Sequence, residues 1–153
     1  MKAFYAGSFD PFTIGHESIA REALKIFGEL IIGVGYNESK RGEYKVEERI
    51  THIQSLFKGE ERVWVIGYMG LTTDAAREHG AGVLVRGVRS SLDFVKEKEL
   101  ADINLTEFGM PTVMIPSKPG LEFVSSSMVR ELKHFGGDWE KYVARSPEGK
   151  MKV

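Results

Sequence analysis

Short apolar runs alternate with segments of helical period along almost the whole chain. Ala3-Phe4-Tyr5-Ala6 reads as a short buried strand. Residues 15–27 follow as a helix with Ile19, Ala20, Ala23, Leu24 and Phe27 on one face, and Gly28 stops it. Leu30-Ile31-Ile32-Gly33-Val34 is apolar on both faces, as a central parallel strand should be. The stripe Val46, Ile50, Ile53 and Phe57 predicts a helix over 46–57. A third strand is predicted over 62–66, a short helix over 72–79, a fourth strand over 83–85, a long helix over 92–108 and a fifth strand over 112–115. Helices over 125–135 and 139–143 close the series. Strand and helix alternating in this way predict an α/β fold: a doubly wound, five-stranded parallel sheet with helices on both faces. No repeat, low-complexity tract or linker interrupts the pattern. Residues 1–153 therefore read as one domain, with 146–153 expected to be a frayed tail.

In sheets of this kind ligands sit beyond the carboxyl ends of the strands, where strand order reverses. The segments after the strands are therefore where chemistry is expected. After the first strand comes Gly7-Ser8-Phe9-Asp10-Pro11-Phe12-Thr13-Ile14-Gly15-His16. Gly7 and Gly15 would let backbone approach a ligand closely, Ser8 offers a hydroxyl, and Asp10-Pro11 signals a turn. His16 falls in the first turn of a helix, whose free N–H groups and positive dipole end attract phosphate. A capped βα loop with a surface histidine is the plainer alternative. After the second strand, Lys40-Arg41 is a short cationic pair that on its own reads as solvated surface. After the fourth, Arg86-Gly87-Val88-Arg89 puts two arginines at a strand end, a costly place without an anion to meet their forked donors. The plainer reading pairs them with Asp93 or Glu97 on the next helix. After the fifth, Ser125-Ser126-Ser127 opens a helix, and three hydroxyls exceed what one cap needs. Together these segments suggest a polyphosphate site.

Composition narrows this further. The net charge is -1, so no broad basic field exists to hold a nucleic acid, and phosphate recognition has to be local. Cysteine is absent, which removes thiolate zinc sites and Cys nucleophiles and suits a reducing cytoplasm. The start of the chain does not read as a signal peptide, and no apolar stretch approaches the roughly 18 residues of a membrane span. A soluble cytoplasmic protein without membrane contact is expected. There is no G-x-x-x-x-G-K-[ST] loop, no G-x-S-x-G elbow and no zinc spacing of His and carboxylates. What remains is a site built from hydroxyls, cations and helix ends.

The stretch "GSFDPFTIGH", with Thr13-Ile14-Gly15-His16 as its core, and the late "SSS" resemble the HIGH-type nucleotidyltransferase superfamily. With "SKRGEYKVEER", "LVRGVRSSLDF" and "IPSKPGLEFVSSSMVRE" in the same order, nearly the full length is similar to the phosphopantetheine adenylyltransferase family of the bacterial coenzyme A pathway. The resemblance implies a Rossmann-like sheet. It also implies transfer of the adenylyl group of ATP to 4′-phosphopantetheine, giving dephospho-coenzyme A and pyrophosphate. The attacking group is already a phosphate anion, so positioning and charge stabilisation suffice. By resemblance, the catalytic set is His16, at the α-phosphate, with Ser8, Lys40 and Arg89. ATP would meet Ser8, Phe9, His16, Gly87, Val88, Arg89, Glu97, Leu121, Glu122, Phe123, Val124, Ser125, Ser126 and Ser127. The pantetheine substrate would meet Ser8, Lys40, Thr72 and Arg86. Mg²⁺ would ride mainly on substrate phosphates, with no protein metal site. The family further implies a homohexamer and feedback by coenzyme A.

Some features depart from the family pattern. Ser8 stands where Thr is commoner, a change that keeps the hydroxyl, and the segment "YMGLTTDAA" differs from the usual wording near Thr72. The late loop "PSKPGLEF" is one residue longer than usual, with Leu121 where an aromatic is frequent. Two other readings stay open at this point: a related nucleotidyltransferase with another phosphate acceptor, and a non-catalytic protein that binds nucleotide or coenzyme A.

Overall fold

The structure, a computed structural model, describes residues 1–40 and 42–146. Arg41 and, apart from Ser146, the expected frayed tail lie outside the described residues. The strands are β1 (Lys2–Gly7), β2 (Glu29–Gly35), β3 (Val63–Tyr68), β4 (Val83–Val88) and β5 (Thr112–Pro116). Between and after them come α1 (Ile14–Phe27), α2 (Val46–Leu56), α3 (Thr72–Glu78), α4 (Ser91–Phe108) and α5 (Ser126–His134).

Alternation in β1 decides how the sheet is buried. Ala3 and Tyr5 enter one apolar cluster with Leu30, Ile32 and Val34 of β2 and Val83 and Val85 of β4. Phe4 and Ala6 enter a second cluster with Ile31 and Leu84. Helices α1 and α2 cover the first face through Ile19, Ala20, Ala23, Leu24, Ile53 and Leu56. Helix α3 supplies Ala75 and Ala76 to the other. Each large side chain fully removed from water contributes about 1.5–3 kcal/mol, so a sheet covered on both sides is the favourable arrangement for strands apolar on both faces.

All strand pairs are parallel, in the order β3-β2-β1-β4-β5. The chain runs outward from β1 to β3, then crosses back to place β4 on the other side of β1. The order reverses between β1 and β4, so the crevice at their carboxyl ends is the expected ligand position.

The expected doubly wound sheet is present, with two differences in its elements. Strand β4 runs on through Val88, so Arg86, Gly87 and Val88 are strand residues rather than loop residues. Pairing with β5 continues there, Arg86 opposite Met114 and Val88 opposite Pro116, which a polar sequence at a strand end does not advertise. The helix predicted over 139–143 is a short 3-10 turn, Glu140–Tyr142. It ends because Val143 leaves the turn to bridge Thr13, and the Ala144 N–H donates to the Phe12 carbonyl at 3.2 Å.

Candidate active site

Helix α1 begins with Thr13, fully buried, as its N-cap. The His16 N–H donates to the Thr13 hydroxyl at 3.2 Å, and the Thr13 N–H donates back to His16 Nδ1 at 3.0 Å. This is a capping box with histidine where Glu or Gln is usual. A backbone N–H can only donate, so Nδ1 is an acceptor and the neutral ring carries its proton on Nε2. Burial, then the positive charges of Arg86 and Arg89, lower the His16 pKa to about 3. The ring edge that opens on the adjacent cavity keeps some contact with water, and the direction is decisive: at neutral pH the imidazole is uncharged and Nε2–H is the donor left for a ligand.

That cavity, about 220 Å³, lies at the carboxyl ends of β1 and β4. Ser8, His16, Arg86, Arg89, Leu121 and Ser125 are among its lining residues. Gly87, Val88, Glu97, Phe9, Val124 and Ser126 border it too. A second cavity, about 440 Å³, opens at the ends of β2 and β3 and is lined by Lys40, Tyr36, Tyr68, Asp10 and Arg49. Ser8 lies on both cavities. Lys40 and Arg86, both expected at the pantetheine substrate, border different cavities, and Ser8 borders both.

The arginine pair at β4 divides in two. The Arg86 fork donates to both oxygens of Glu97 at 2.8 and 2.7 Å and to the Ala6 carbonyl at 2.6 Å. Burial works against the Arg86 charge, and the Glu97 bonds and charge more than offset it, so its pKa stands above the usual value. The plainer sequence reading is thus met in full for Arg86: it already has its carboxylate, and Glu97 is that partner. Arg89 is exposed and donates to the Glu122 carbonyl at 3.2 Å, while Asp93 accepts from its backbone N–H.

The serine run is likewise engaged. Ser125 caps α5 through the Met128 N–H, Ser126 donates to the Pro11 carbonyl at 2.7 Å, and Ser127 accepts from Arg130. The expected surplus of hydroxyls is not a surplus within the fold. Ser127, Glu122 and Phe123 stand outside the lining of the first cavity, and Phe123 packs edge-on against Tyr142. Thr72 borders neither cavity. Its hydroxyl bonds that of Tyr68 at 2.8 Å, and Tyr68 lines the second cavity in its place.

Gly7 borders the first cavity and has a second job as well. A Cβ there would meet Phe9 Cε1 at 2.6 Å, so the glycine also makes room for the Phe9 ring. Phe9 is buried at φ 49°, a left-handed conformation that costs a non-glycine residue about 1–3 kcal/mol. Edge-on contacts of its ring with Tyr5, Phe12 and His16 hold it there. Gly15 does border the cavity, and a Cβ on it would meet Val124 only at ordinary contact distance.

Known proteins answer to the same pattern. A family profile described as cytidylyltransferase-like matches residues 4–132. The chain is 46% identical over 147 residues to a phosphopantetheine adenylyltransferase of Porphyromonas gingivalis, covering 96% of this chain and 94% of that protein. It is 42% identical over 152 residues to one of Phocaeicola vulgatus, covering 99% and 98%.

The chain belongs to the phosphopantetheine adenylyltransferase family.

Among solved structures, a bifunctional NMN adenylyltransferase/ADP ribose pyrophosphatase from Francisella tularensis superposes with a TM-score of 0.72 at 15% identity. The match covers 96% of this chain and 46% of that one, and at this identity it speaks to the fold alone.

The candidate site also rests on bonds that sequence reasoning passed over. Asp10, expected to shape a turn, is buried, and its carboxylate accepts the N–H groups of Glu43 and Tyr44 at 2.8 and 2.9 Å. Arg49 is buried on α2 and donates to the carbonyls of Ser8 and Tyr44. Arg130 on α5 donates to the Asp10 carbonyl at 2.7 Å. Arg49 falls within the polar-looking run "EER", and nothing local distinguishes it from a solvated helix residue. The only sequence hint is its place one helical turn before Ile53, on the same buried face.

Proposed function

We propose that this chain transfers the adenylyl group of ATP to 4′-phosphopantetheine, giving dephospho-coenzyme A and pyrophosphate in coenzyme A biosynthesis. The observation that carries the reading is the meeting of two cavities at Ser8. One has the neutral His16 donor, Arg89 and a helix N-terminus, and the other has Lys40. ATP occupies the first, with its α-phosphate beside His16. The acceptor reaches from the second, its phosphate oriented by Lys40 and Ser8.

An acceptor phosphate oxygen attacks the α-phosphorus, the bond from that phosphorus to the bridging oxygen breaks, and pyrophosphate departs. No proton has to be removed from the nucleophile, which suits a site without a general base. His16 Nε2–H and Arg89 stabilise the charge that grows on the α-phosphate oxygens, and the N–H groups of Ile14 and Gly15, ahead of the first helical acceptor of α1, add to it. Arg86 is the exception among the cations: it engages a phosphate only by sharing with or leaving Glu97.

Carboxylates at the first cavity are already committed, Glu97 to Arg86 and Asp93 to the Arg89 N–H. Among the described residues no group of three or more His, Asp or Glu side chains could hold a metal ion. This donor set suits Mg²⁺ arriving on the polyphosphate, where it supplies charge neutralisation.

The protein is expected to act in the cytoplasm; no described helix is long and apolar enough to cross a membrane. A homohexamer is part of the proposal. It is supported by α4, which buries only Glu97 and leaves Leu92, Phe94, Val95, Leu100, Ile103 and Leu105 exposed. Coenzyme A shares the pantetheine arm and the adenosine of the product, so the joined cavities suit it as a feedback ligand.

The test is pyrophosphate release from ATP with 4′-phosphopantetheine, nicotinamide mononucleotide and a sugar-alcohol phosphate offered in turn. Turnover with 4′-phosphopantetheine at least a hundred-fold above the others is expected. Release with a different acceptor only, or with none, overturns the proposal.

A further inference from the structure

Lys40 lies in the segment that joins β2 to α2, whose described residues 36–40 and 42–45 form no helix or strand. Asn37 folds back on it, accepting from the Ser39 N–H and hydroxyl through its side chain and from the Lys40 N–H through its carbonyl. Beyond that turn, the anchoring comes from elsewhere. Asp10 and Arg49 are 7% and 6% exposed, and their own ion pair is long, 3.8 Å between Nε and Oδ1. Two buried charges so weakly paired are expensive unless their remaining bonding capacity is met. Those bonds all go to backbone of the two segments that bear Ser8 and Lys40. Both Asp10 oxygens take N–H groups of the loop, at Glu43 and Tyr44. The Arg49 fork spans the junction, Nη1 to the Ser8 carbonyl at 2.8 Å and Nε to the Tyr44 carbonyl at 3.0 Å. The fit is close: a Cβ on Gly42 would stand 2.4 Å from Asp10 Oδ2 and 3.2 Å from Arg49 Nη2. From outside, Lys133 of α5 bonds the Tyr44 hydroxyl at 3.1 Å and pairs with Glu43 at 3.3 Å.

We propose that Asp10 and Arg49, closed over Gly42, form a latch of positioning residues that holds the Lys40 loop in register with Ser8 and so sets affinity for the phosphate acceptor. The inference rests on the proposed assignment of the second cavity to the acceptor. A pair serving stability alone could be replaced by apolar groups of the same shape. This pair is tied by direction to two backbone segments, and a loop displaced by about 1 Å is enough to cost large factors in turnover. The latch lies on the acceptor side of Ser8. Its loss acts on Lys40 while leaving Arg89, Gly87 and the α5 serines in place.

The experiment compares Asp10→Asn, Arg49→Lys, Arg49→Gln and Gly42→Ala with wild type. KM is measured for ATP and for 4′-phosphopantetheine separately, and amide hydrogen exchange is followed at Glu43 and Tyr44. The latch requires the acceptor KM to rise about ten-fold or more while the ATP KM stays within about two-fold. It also requires Glu43 and Tyr44 to lose protection while amides of β1 and β4 keep theirs. Arg49→Lys keeps the charge beside Asp10 but cannot reach both carbonyls, so it stays impaired. Gly42→Ala leaves every charge in place and carries the test if Asp10→Asn does not fold. Equal rises in both KM values, or full restoration of acceptor KM by Arg49→Lys, overturn the latch. Failure of the wild type to use 4′-phosphopantetheine overturns the functional reading instead, and the exchange at Glu43 and Tyr44 then decides the latch alone.

Discussion

Replacing His16 separates the two jobs its ring does. Nδ1 accepts the Thr13 N–H and closes the capping box, while Nε2–H faces whatever binds the cavity. His16→Gln keeps the first job, because glutamine is itself a capping-box residue at this position, and loses the second. His16→Ala loses both. A donor aimed at developing phosphate charge is worth about 2.7–4 kcal/mol, so kcat should fall about 10²–10³-fold in either variant. The Thr13 hydroxyl still caps the residue-16 N–H in His16→Ala, and what is lost is the acceptor for the Thr13 N–H, worth about 1 kcal/mol, so this variant should melt about 2–4 °C below wild type and His16→Gln close to it. The assay is single-turnover adenylyl transfer with ATP and acceptor saturating, beside thermal melts. A second readout is pH. Because the folded ring refuses a proton until about pH 3, kcat should show no inflection near 6.5. The unfolded chain takes up that proton near 6.5. Stability is therefore full above pH 6.5 and falls as pH drops below it, by at most about 1.4 kcal/mol per unit from this residue. Burial lowers His52 as well, so only the difference between wild type and His16→Gln isolates His16. Wild-type kcat in His16→Gln, or an inflection near 6.5 that the substitution removes, would refute the neutral-donor assignment.

Gly7→Ala should displace the Phe9 ring from a Cβ 2.6 Å away and cost about 1–3 kcal/mol, read as a lower Tm; an unchanged melt would contradict the packing role. Glu97→Ala should lower stability by about 1–3 kcal/mol and leave Arg86 with one carbonyl partner, which makes the enzyme more sensitive to inhibition by inorganic phosphate; unaltered inhibition would show that the pair does not restrain Arg86. If the proposed homohexamer packs through α4, Leu100→Asp with Ile103→Asp on its exposed face should reduce it to smaller species by sedimentation; species of unaltered size would overturn that interface.

The sheet was legible because β2 and β4 are apolar on both faces and α1 carries both its stripe and its stop at Gly28. The candidate site was legible because Ser8, His16 and Arg89 follow strands closely in sequence, where a local reading can find them, and the structure gathers them on one cavity. What escaped were bonds between segments remote in sequence. Nothing around Asp10 points to amides at Glu43 and Tyr44, and nothing around Arg49 points to the Ser8 carbonyl. The same limit applies to Arg86, whose choice between ligand and Glu97 depends on how α4 packs. The packing of Phe9 on Gly7 escaped for a related reason: a missing side chain is visible in a sequence, but what fills the space is not.

Helix α5 ties the end of the chain to its beginning. Ser126 bonds Pro11 across 115 residues and Arg130 bonds Asp10 across 120, while Lys133 reaches the Tyr44 hydroxyl in the Lys40 loop. Contacts so distant are slow to form in folding. All five strands precede α5 in the chain, so during synthesis, with the amino terminus leaving first, the loop at Asp10-Pro11 meets these α5 partners only after the last strand has been made.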